Sequence, residues 1–271
     1  MSVKKTVLTI AGFDPSSGAG VTADLMVFAA HGLFGTSCVT SLTVQSTVGV
    51  VSSTAVSAEI VRATLDCLES DLPAAGIKIG MLGTAANVAA VADFLLGLRE
   101  FGGEHERVQV VLDPVMRSSS GRELLDAEGV AVLRERLLPL VDWVTPNLEE
   151  AGMLLGRSVR RREDMVEAAL DLQAMGSGLN VVVTGGHLVP PDDLLLTAGG
   201  EMVGLTGEKI VSRSTHGTGC AFASALLSRV VLGDGARDAA LRAKEYVAEA
   251  IRTATTMGKG IGPVNHLWPI R

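Results

Sequence analysis

Cysteine is scarce in this sequence: Cys38, Cys67 and Cys220 stand far apart in 271 residues. Three is an odd number, and the spacing is wide. This suits neither a disulfide framework nor a zinc site, and it fits free thiols in a reducing compartment. Aromatic residues make up only 3% of the chain, which leaves little for stacking on nucleic-acid bases. Positive charge is outnumbered, 23 Lys and Arg against 30 Asp and Glu, for a formal net charge of -7. A phosphate-backbone partner needs a dense basic face that releases counterions, so this balance opposes nucleic-acid binding. It does not oppose a nucleotide triphosphate, whose phosphates are neutralised locally by backbone N–H groups and a divalent metal. No apolar run reaches the roughly 18 residues of a membrane span, and the opening MSVKKTVLTIAG has only a short apolar stretch. The expectation is a cytoplasmic protein with no membrane partner.

What the chain does have is core material: 47% hydrophobic residues and 20% charged. With no repeat, low-complexity tract or Pro/Ser-rich linker, residues 1–271 read as a single domain. Short β-branched runs read as strands at Thr6 to Ile10, Ser37 to Val44, Gly76 to Ile79, Val108 to Leu112, Trp143 to Thr145 and Asn180 to Thr184. Helical patterns lie between and after them, at Thr22 to Ala30, Ala58 to Glu69, Ala85 to Arg99, Glu128 to Leu137, Glu163 to Met175, Cys220 to Leu232 and Ala236 to Thr255. This alternation predicts an α/β fold, with crossover units on a largely parallel sheet and helices on both faces. Asp193 to Thr197, Glu201 to Leu205 and Lys209 to Ser212 read as short strands forming an antiparallel edge. The charge run RSVRRRED at 157 to 164 reads as a solvated start to a helix.

Three constellations carry chemistry. The loop Gly12-Phe13-Asp14-Pro15-Ser16-Ser17-Gly18-Ala19-Gly20 follows the first strand and opens the first helix, with Asp24 one turn inside. Its glycines permit close backbone approach to a ligand, although it is neither a Walker A loop nor a dinucleotide fingerprint, and a plain structural turn fits equally. The segment Ser214-Thr215-His216-Gly217-Thr218-Gly219-Cys220 precedes a small-residue helix. There the glycines let N–H groups converge at a positive helix end that cradles an anion, and the same end stabilises a Cys220 thiolate. Asp113-Pro114-Val115-Met116 and Thr145-Pro146-Asn147-Leu148-Glu149-Glu150 close two adjacent strands, at the carboxyl ends where ligands bind in open α/β sheets. Asp113 and Glu150 are suited to Mg²⁺, while helix capping is the plainer reading of Asn147 and Glu149. His31, His105, His187, His216 and His266 show no metal-ligand spacing. Gln45 ends a hydrophobic strand and offers an amide able to read a pyrimidine-like edge. Met81 follows Gly80 and reads first as core packing.

In order, AGFDPSSGAG at 11 to 20, SLTVQSTVGV at 41 to 50, KIGMLG at 78 to 83, LDPVM at 112 to 116, TPNLEEA at 145 to 151, TGGH at 184 to 187, THGTGC at 215 to 220 and the terminal GPVNH resemble the hydroxymethylpyrimidine/phosphomethylpyrimidine kinases. That family is a branch of the ribokinase superfamily, and the resemblance covers nearly the whole chain. It implies a ribokinase-like three-layer α/β/α sandwich, a homodimer, and ATP- and Mg²⁺-dependent phosphorylation of 4-amino-5-hydroxymethyl-2-methylpyrimidine and of its monophosphate.

Residue by residue, the resemblance implies Cys220 as general base, with Gly217, Thr218 and Gly219 supplying the anion hole. Gln45 pairs with the pyrimidine, helped by Gly12, Asp24 and Met81. Asn147, Thr184 and Gly186 fall in the nucleotide region, and Asp113 and Glu150 in the metal region. Thr184 stands where many members have lysine, and Arg117-Ser118-Ser119 replaces a stretch that often carries one. Two other readings stay open: a pyridoxal-type kinase on the same scaffold, and a catalytically weak pyrimidine-binding regulatory protein.

Overall fold

The computed structural model of the protein describes residues 4–101, 107–118 and 121–270; His105 and Ser119 lie outside them. The strands are β1 (Thr6–Phe13), β2 (Phe34–Ser46), β3 (Gly49–Ala55), β4 (Gly76–Ile79), β5 (Gln109–Leu112), β6 (Trp143–Val144), β7 (Asn180–Val183), β8 (Asp193–Leu196), β9 (Met202–Leu205), β10 (Ser214–His216) and β11 (Gly262–Pro263). The α-helices are α1 (Gly20–Ala30), α2 (Ala58–Asp71), α3 (Ala85–Phe101), α4 (Ala127–Val132), α5 (Leu148–Leu155), α6 (Asp164–Gln173), α7 (Thr218–Val231) and α8 (Ala236–Arg252). Among the described residues one sheet holds nine strands in the order β3-β2-β1-β4-β5-β6-β7-β8-β9. Pairing is parallel from β2 through β7 and antiparallel at both edges, β2 with β3 at one, β7 with β8 and β8 with β9 at the other.

Because side chains alternate across a strand, each central strand feeds two cores. Leu8, Ile10, Ile77, Ile79, Val110, Leu112, Val181 and Val183 pack with Val61, Leu65, Val88, Leu95, Leu154 and Leu172 of α2, α3, α5 and α6 on one face. Val7, Val111, Trp143 and Val182 pack with Val27, Phe28, Phe222, Leu226, Ala243 and Tyr246 of α1, α7 and α8 on the other. The three-layer α/β/α arrangement follows directly.

The chain leaves β1 toward β2 on one side and returns to β4 on the other. The strand order therefore reverses between β1 and β4, and the carboxyl ends of these two strands bound the crevice where α/β sheets bind ligands.

Several local expectations shift. The pattern over Glu128 to Leu137 is helical but not uniformly α: α4 gives way to a π-helical turn at Leu133–Leu137 and a 3₁₀ turn at Leu138–Leu140 containing Pro139. Lys209 to Ser212 forms no strand, and Val211 there is 97% exposed. The following Ser214–His216 takes the strand role instead, because Gly262–Pro263 of the terminal segment pairs with it. Strand β3 and helix α5 were not anticipated. The last long helix ends at Arg252, short of Thr255. The charge run does lead into a helix: Asp164 accepts from the backbone N–H groups of Arg160 and Arg161, both at 2.9 Å.

Candidate active site

The loop after β1 is organised by Asp14, which the sequence reading quoted but did not single out. Its Oδ1 accepts from Ser16 N at 2.8 Å and Ser16 Oγ at 2.7 Å, and its Oδ2 accepts from Ala19 N at 3.0 Å. The same Oδ2 lies 2.7 Å from His216 Nε2, so the loop is tied to the segment that precedes α7. Contact there is close enough to demand glycine. A Cβ on Gly217, whose φ is 84°, would fall 1.7 Å from the Gly18 carbonyl oxygen.

Gly217 is the N-cap of α7, with no side-chain cap and no acidic residue in the first turn. The first N–H groups of the helix, from Thr218 onward, are therefore left for a ligand. A Cβ on Gly219 would meet nothing within 4 Å, so this end of the helix opens outward. Cys220 sits one step further in, half-buried. Its thiol contradicts the expectation of a lowered pKa: burial pushes it up to about 12, with Asp113 and Asp24 adding to the rise, against the pull of Lys78 and the Gly20 N–H. The helix end does not overcome desolvation.

Lys78 is the residue the sequence reading missed. It lies on β4, facing α1 and α7, with its side chain wholly buried, 3.1 Å from Asp24 Oδ2 and 3.7 Å from Asp113 Oδ2. Burial alone would drive its ammonium down, yet Asp24, Cys220 and Asp113 together hold it raised. Asp24, expected beside the substrate, is fully buried and accepts from Thr9 Oγ1 at 2.6 Å and Ser224 Oγ at 2.7 Å as well as from Lys78. It anchors β1, β4, α1 and α7 from beneath the crevice and does not reach into it. The one available signal for Lys78 was a lone cation inside the apolar run GIKI.

Gly12 and Met81 face each other across the β1/β4 crevice, a Cβ on Gly12 falling 3.0 Å from Met81 Sδ. Gln45, on β2, lies 3.1 Å from His216 Nε2. Gln45 is thereby joined to the segment that leads into α7, while Gly12 and Met81 stay paired with each other. At the adjoining strand ends, Asn147 caps α5 in a reciprocal box with Glu150: Asn147 Oδ1 accepts from Glu150 N at 3.0 Å, and Glu150 Oε2 accepts from Asn147 N at 2.9 Å. Thr184 stands beside Asn147 as its parallel bridge partner. A Cβ on Gly186 would meet nothing within 4 Å, whereas one on Gly185 would strike the Asp192 carbonyl oxygen at 2.1 Å.

The pair Asp113 and Glu150 fits a hard divalent cation. Asp113 Oδ2 is buried without a hydrogen-bond partner among the described residues. Burial raises the pKa of both groups, to about 8 for Glu150, where the neighbouring Asp113 charge adds to the rise. Lys78 stands 3.7 Å from Asp113 Oδ2, and a further positive charge beside Glu150 would favour ionisation of both carboxylates. Among the described residues no cluster of three or more His, Cys, Asp or Glu is placed to hold a metal.

Comparison with known proteins finds relatives along nearly the whole chain. A bifunctional thiamine biosynthesis protein of Geobacter sulfurreducens is 42% identical over 97% of this chain, which spans 52% of that protein's length. The hydroxymethylpyrimidine/phosphomethylpyrimidine kinase of Haemophilus influenzae is 38% identical over 98% of both chains. The structure of Staphylococcus aureus pyridoxal kinase in complex with AMP-PCP and pyridoxal superposes with a TM-score of 0.83 at 31% identity, covering 98% of this chain and 94% of that one. The sequence model of the phosphomethylpyrimidine kinase family matches residues 14–265, a span that runs from the Asp14 loop past the N-terminal end of α7, and the chain belongs to that family.

Proposed function

We propose that this kinase transfers the terminal phosphoryl group of ATP to the hydroxymethyl group of 4-amino-5-hydroxymethyl-2-methylpyrimidine, and then phosphorylates the monophosphate in turn. One observation carries the reading: the Cys220 thiol at the uncapped end of α7 has Asp113 beside it, Asp113 in turn neighbours Glu150, and Gln45 reaches His216 just before the same helix end. Phosphoryl transfer asks for positioning and for neutralisation of the equatorial oxygens more than for covalent chemistry. The N–H groups of Gly217, Thr218 and Gly219 face those oxygens. Asn147, Thr184 and Gly186 line the nucleotide side, and Gly12, Met81 and Gln45 hold the ring. Asp113 and Glu150 would hold Mg²⁺, which when bound supplies charge neutralisation between the phosphates.

A thiol with a pKa of about 12 is protonated near neutral pH. Only the minor thiolate form, its own proton already lost to solvent, can act as base, and it takes the hydroxyl proton as bonding to phosphorus makes that oxygen acidic. In Cys220→Ala, transfer is nearly abolished while the pyrimidine still binds; full activity in that variant would remove the assigned role.

The likeness to a pyridoxal kinase supports one second reading, phosphorylation of a pyridine alcohol on the same scaffold. ATP and Mg²⁺ offered with hydroxymethylpyrimidine, its monophosphate and pyridoxal in parallel separate the two. Product from both pyrimidines supports the first reading, pyridoxal phosphate alone supports the second, and no product from any means a binding protein. The proposal includes a cytoplasmic location; among the described residues no helix is long and apolar enough to cross a membrane. It also includes a homodimer, supported by the exposed apolar side chains of Leu42, Val44, Val48 and Val51 along the β2–β3 ribbon, with light scattering after size exclusion as the check.

A further inference from the structure

At the ligand end of β2, two groups meet one ring nitrogen. His216 Nε2 lies 2.7 Å from Asp14 Oδ2 and 3.1 Å from the amide nitrogen of Gln45. Asp14 already accepts two backbone N–H groups, from Ser16 and Ala19. Burial alone would raise its pKa, but the bonds from His216 and Ser16 bring it below the usual range. Asp14 is thus a carboxylate, which only accepts, and the ring nitrogen facing it carries the hydrogen whether the imidazole is neutral or charged.

A donor on His216 cannot face a donor on Gln45. The oxygen and nitrogen of a carboxamide fill the same envelope and are told apart by their partners. Rotating the amide by half a turn puts its oxygen on the His216 N–H and its nitrogen 3.4 Å from Thr43 Oγ1, whose own hydrogen goes to the Phe13 carbonyl at 2.9 Å. The amide oxygen then shares the single Nε2 hydrogen with Asp14 Oδ2, no donor faces a donor, and one amide N–H is left free.

We propose that His216 is a positioning residue that fixes the amide of Gln45 in this orientation, and through it the orientation of the pyrimidine ring. The inference rests on the kinase reading above. With one carbonyl lone pair given to His216 and one N–H to Thr43, the amide keeps one acceptor and one donor side by side. A 4-aminopyrimidine offers the complement, a ring nitrogen next to an exocyclic amine, and its hydroxymethyl group is on the carbon beside the amine-bearing one. A reversed amide would pair with the ring turned over and carry the hydroxymethyl group to the opposite side, away from Cys220. The segment that bears the candidate base therefore also sets the direction in which the alcohol points.

The test is calorimetric binding of two ligands to the full chain: 4-amino-5-hydroxymethyl-2-methylpyrimidine, and the analogue with hydrogen in place of the amine. Each is also offered for phosphorylation with ATP and Mg²⁺. The native protein prefers the amine by roughly 10- to 100-fold, the weight of a directed hydrogen-bond pair. In His216→Leu the preference collapses toward unity, whereas His216→Gln, which keeps an N–H near the Nε2 position, retains most of it. Thr43→Val, which removes the second tether, lowers the preference while leaving His216 in place, and it decides the matter if His216→Leu does not fold.

A merely structural histidine would weaken both ligands equally. An unchanged ratio in His216→Leu or in Thr43→Val, or no preference in the native protein, overturns the proposal. Preferential binding with the expected variant pattern but without phosphoryl transfer would instead overturn the kinase reading and leave the role of His216 standing.

Discussion

Lys78 and Asp24 form an ion pair of 3.1 Å with both side chains at 0% exposure, and Asp113 and Cys220 stand directly above it. A buried pair of this kind contributes little over an apolar replacement, but removing one member leaves the other charge uncompensated. Lys78→Met is therefore expected to destabilise the protein by about 3–5 kcal/mol. The double variant Lys78→Met with Asp24→Asn is expected to recover part of that loss. Denaturant unfolding of the two single variants and the double variant closes the cycle, and additive losses would contradict the coupling.

The two accessible thiols differ in environment and hence in reactivity. Cys67 is exposed on α2, whereas Cys220 is half-buried, with its thiol pushed up to about 12 by burial and by the carboxylates near it. Since the thiolate is the nucleophile, iodoacetamide at pH 7.5 should label Cys67 well before Cys220 in the ligand-free protein. Peptide mass spectrometry over time reads this directly, and faster labelling of Cys220 would mean that the α7 end dominates its electrostatics after all.

Much of the layout was legible because it rests on local pattern. Strand β4 came out with the bounds Gly76–Ile79, since a short apolar run between turns has few other fates, and the opening of α7 was marked by glycines flanking Thr218. What was not legible depended on tertiary contact. Strand β3, GVVSSTA, is largely exposed and polar, so no buried face signalled it. Lys78 reads as a blemish in a strand until α1 brings Asp24 to it. The Asp14–His216 contact joins residues 202 positions apart. The pKa of Cys220 was misjudged because the helix end is visible in sequence, while the depth of burial and the two nearby carboxylates are not.

Glu150 gives a pH signature with a definite sign. Its pKa rises from 4.5 to about 8 in the folded protein, through burial and the neighbouring Asp113 charge. The folded state holds this proton more tightly than the unfolded one, so the associated stability is fully present below about 4.5 and is lost as pH rises through about 8. The slope from this group is at most about 1.4 kcal/mol per pH unit. Glu150→Gln keeps an acceptor for the Asn147 N–H and has no proton to lose. Thermal unfolding without metal should therefore show the variant more stable than the native protein at pH 9 and the gap closing toward pH 5. A gap of constant size would indicate that Glu150 does not titrate in this range.

The last prediction concerns the turn after β7, where Thr184 and Gly186 are proposed to meet the nucleotide. Its backbone is held from the side: Asp193 Oδ1 accepts from Gly185 N at 2.8 Å, and Asp193 Oδ2 pairs with Lys244 Nζ of α8 at 2.6 Å. Lys244 also donates to the Pro191 carbonyl at 2.8 Å. Burial raises the Asp193 pKa, against the pull of Lys244 and of the Gly185 N–H. Lys244→Met removes that cation and its bond to the Pro191 carbonyl, raises the Asp193 pKa further and weakens the charged acceptor of the Gly185 N–H, so the turn loosens around Gly186. A hydrogen bond to a charged group is worth about 1.5–3 kcal/mol, which sets an expected rise of about 10- to 100-fold in KM for ATP. KM for the alcohol should move far less, because Gln45 and Met81 lie across the crevice on β2 and after β4. Steady-state kinetics with each substrate varied in turn separates the two effects. An equal rise in both constants would mean that α8 supports the whole site and not the nucleotide turn alone.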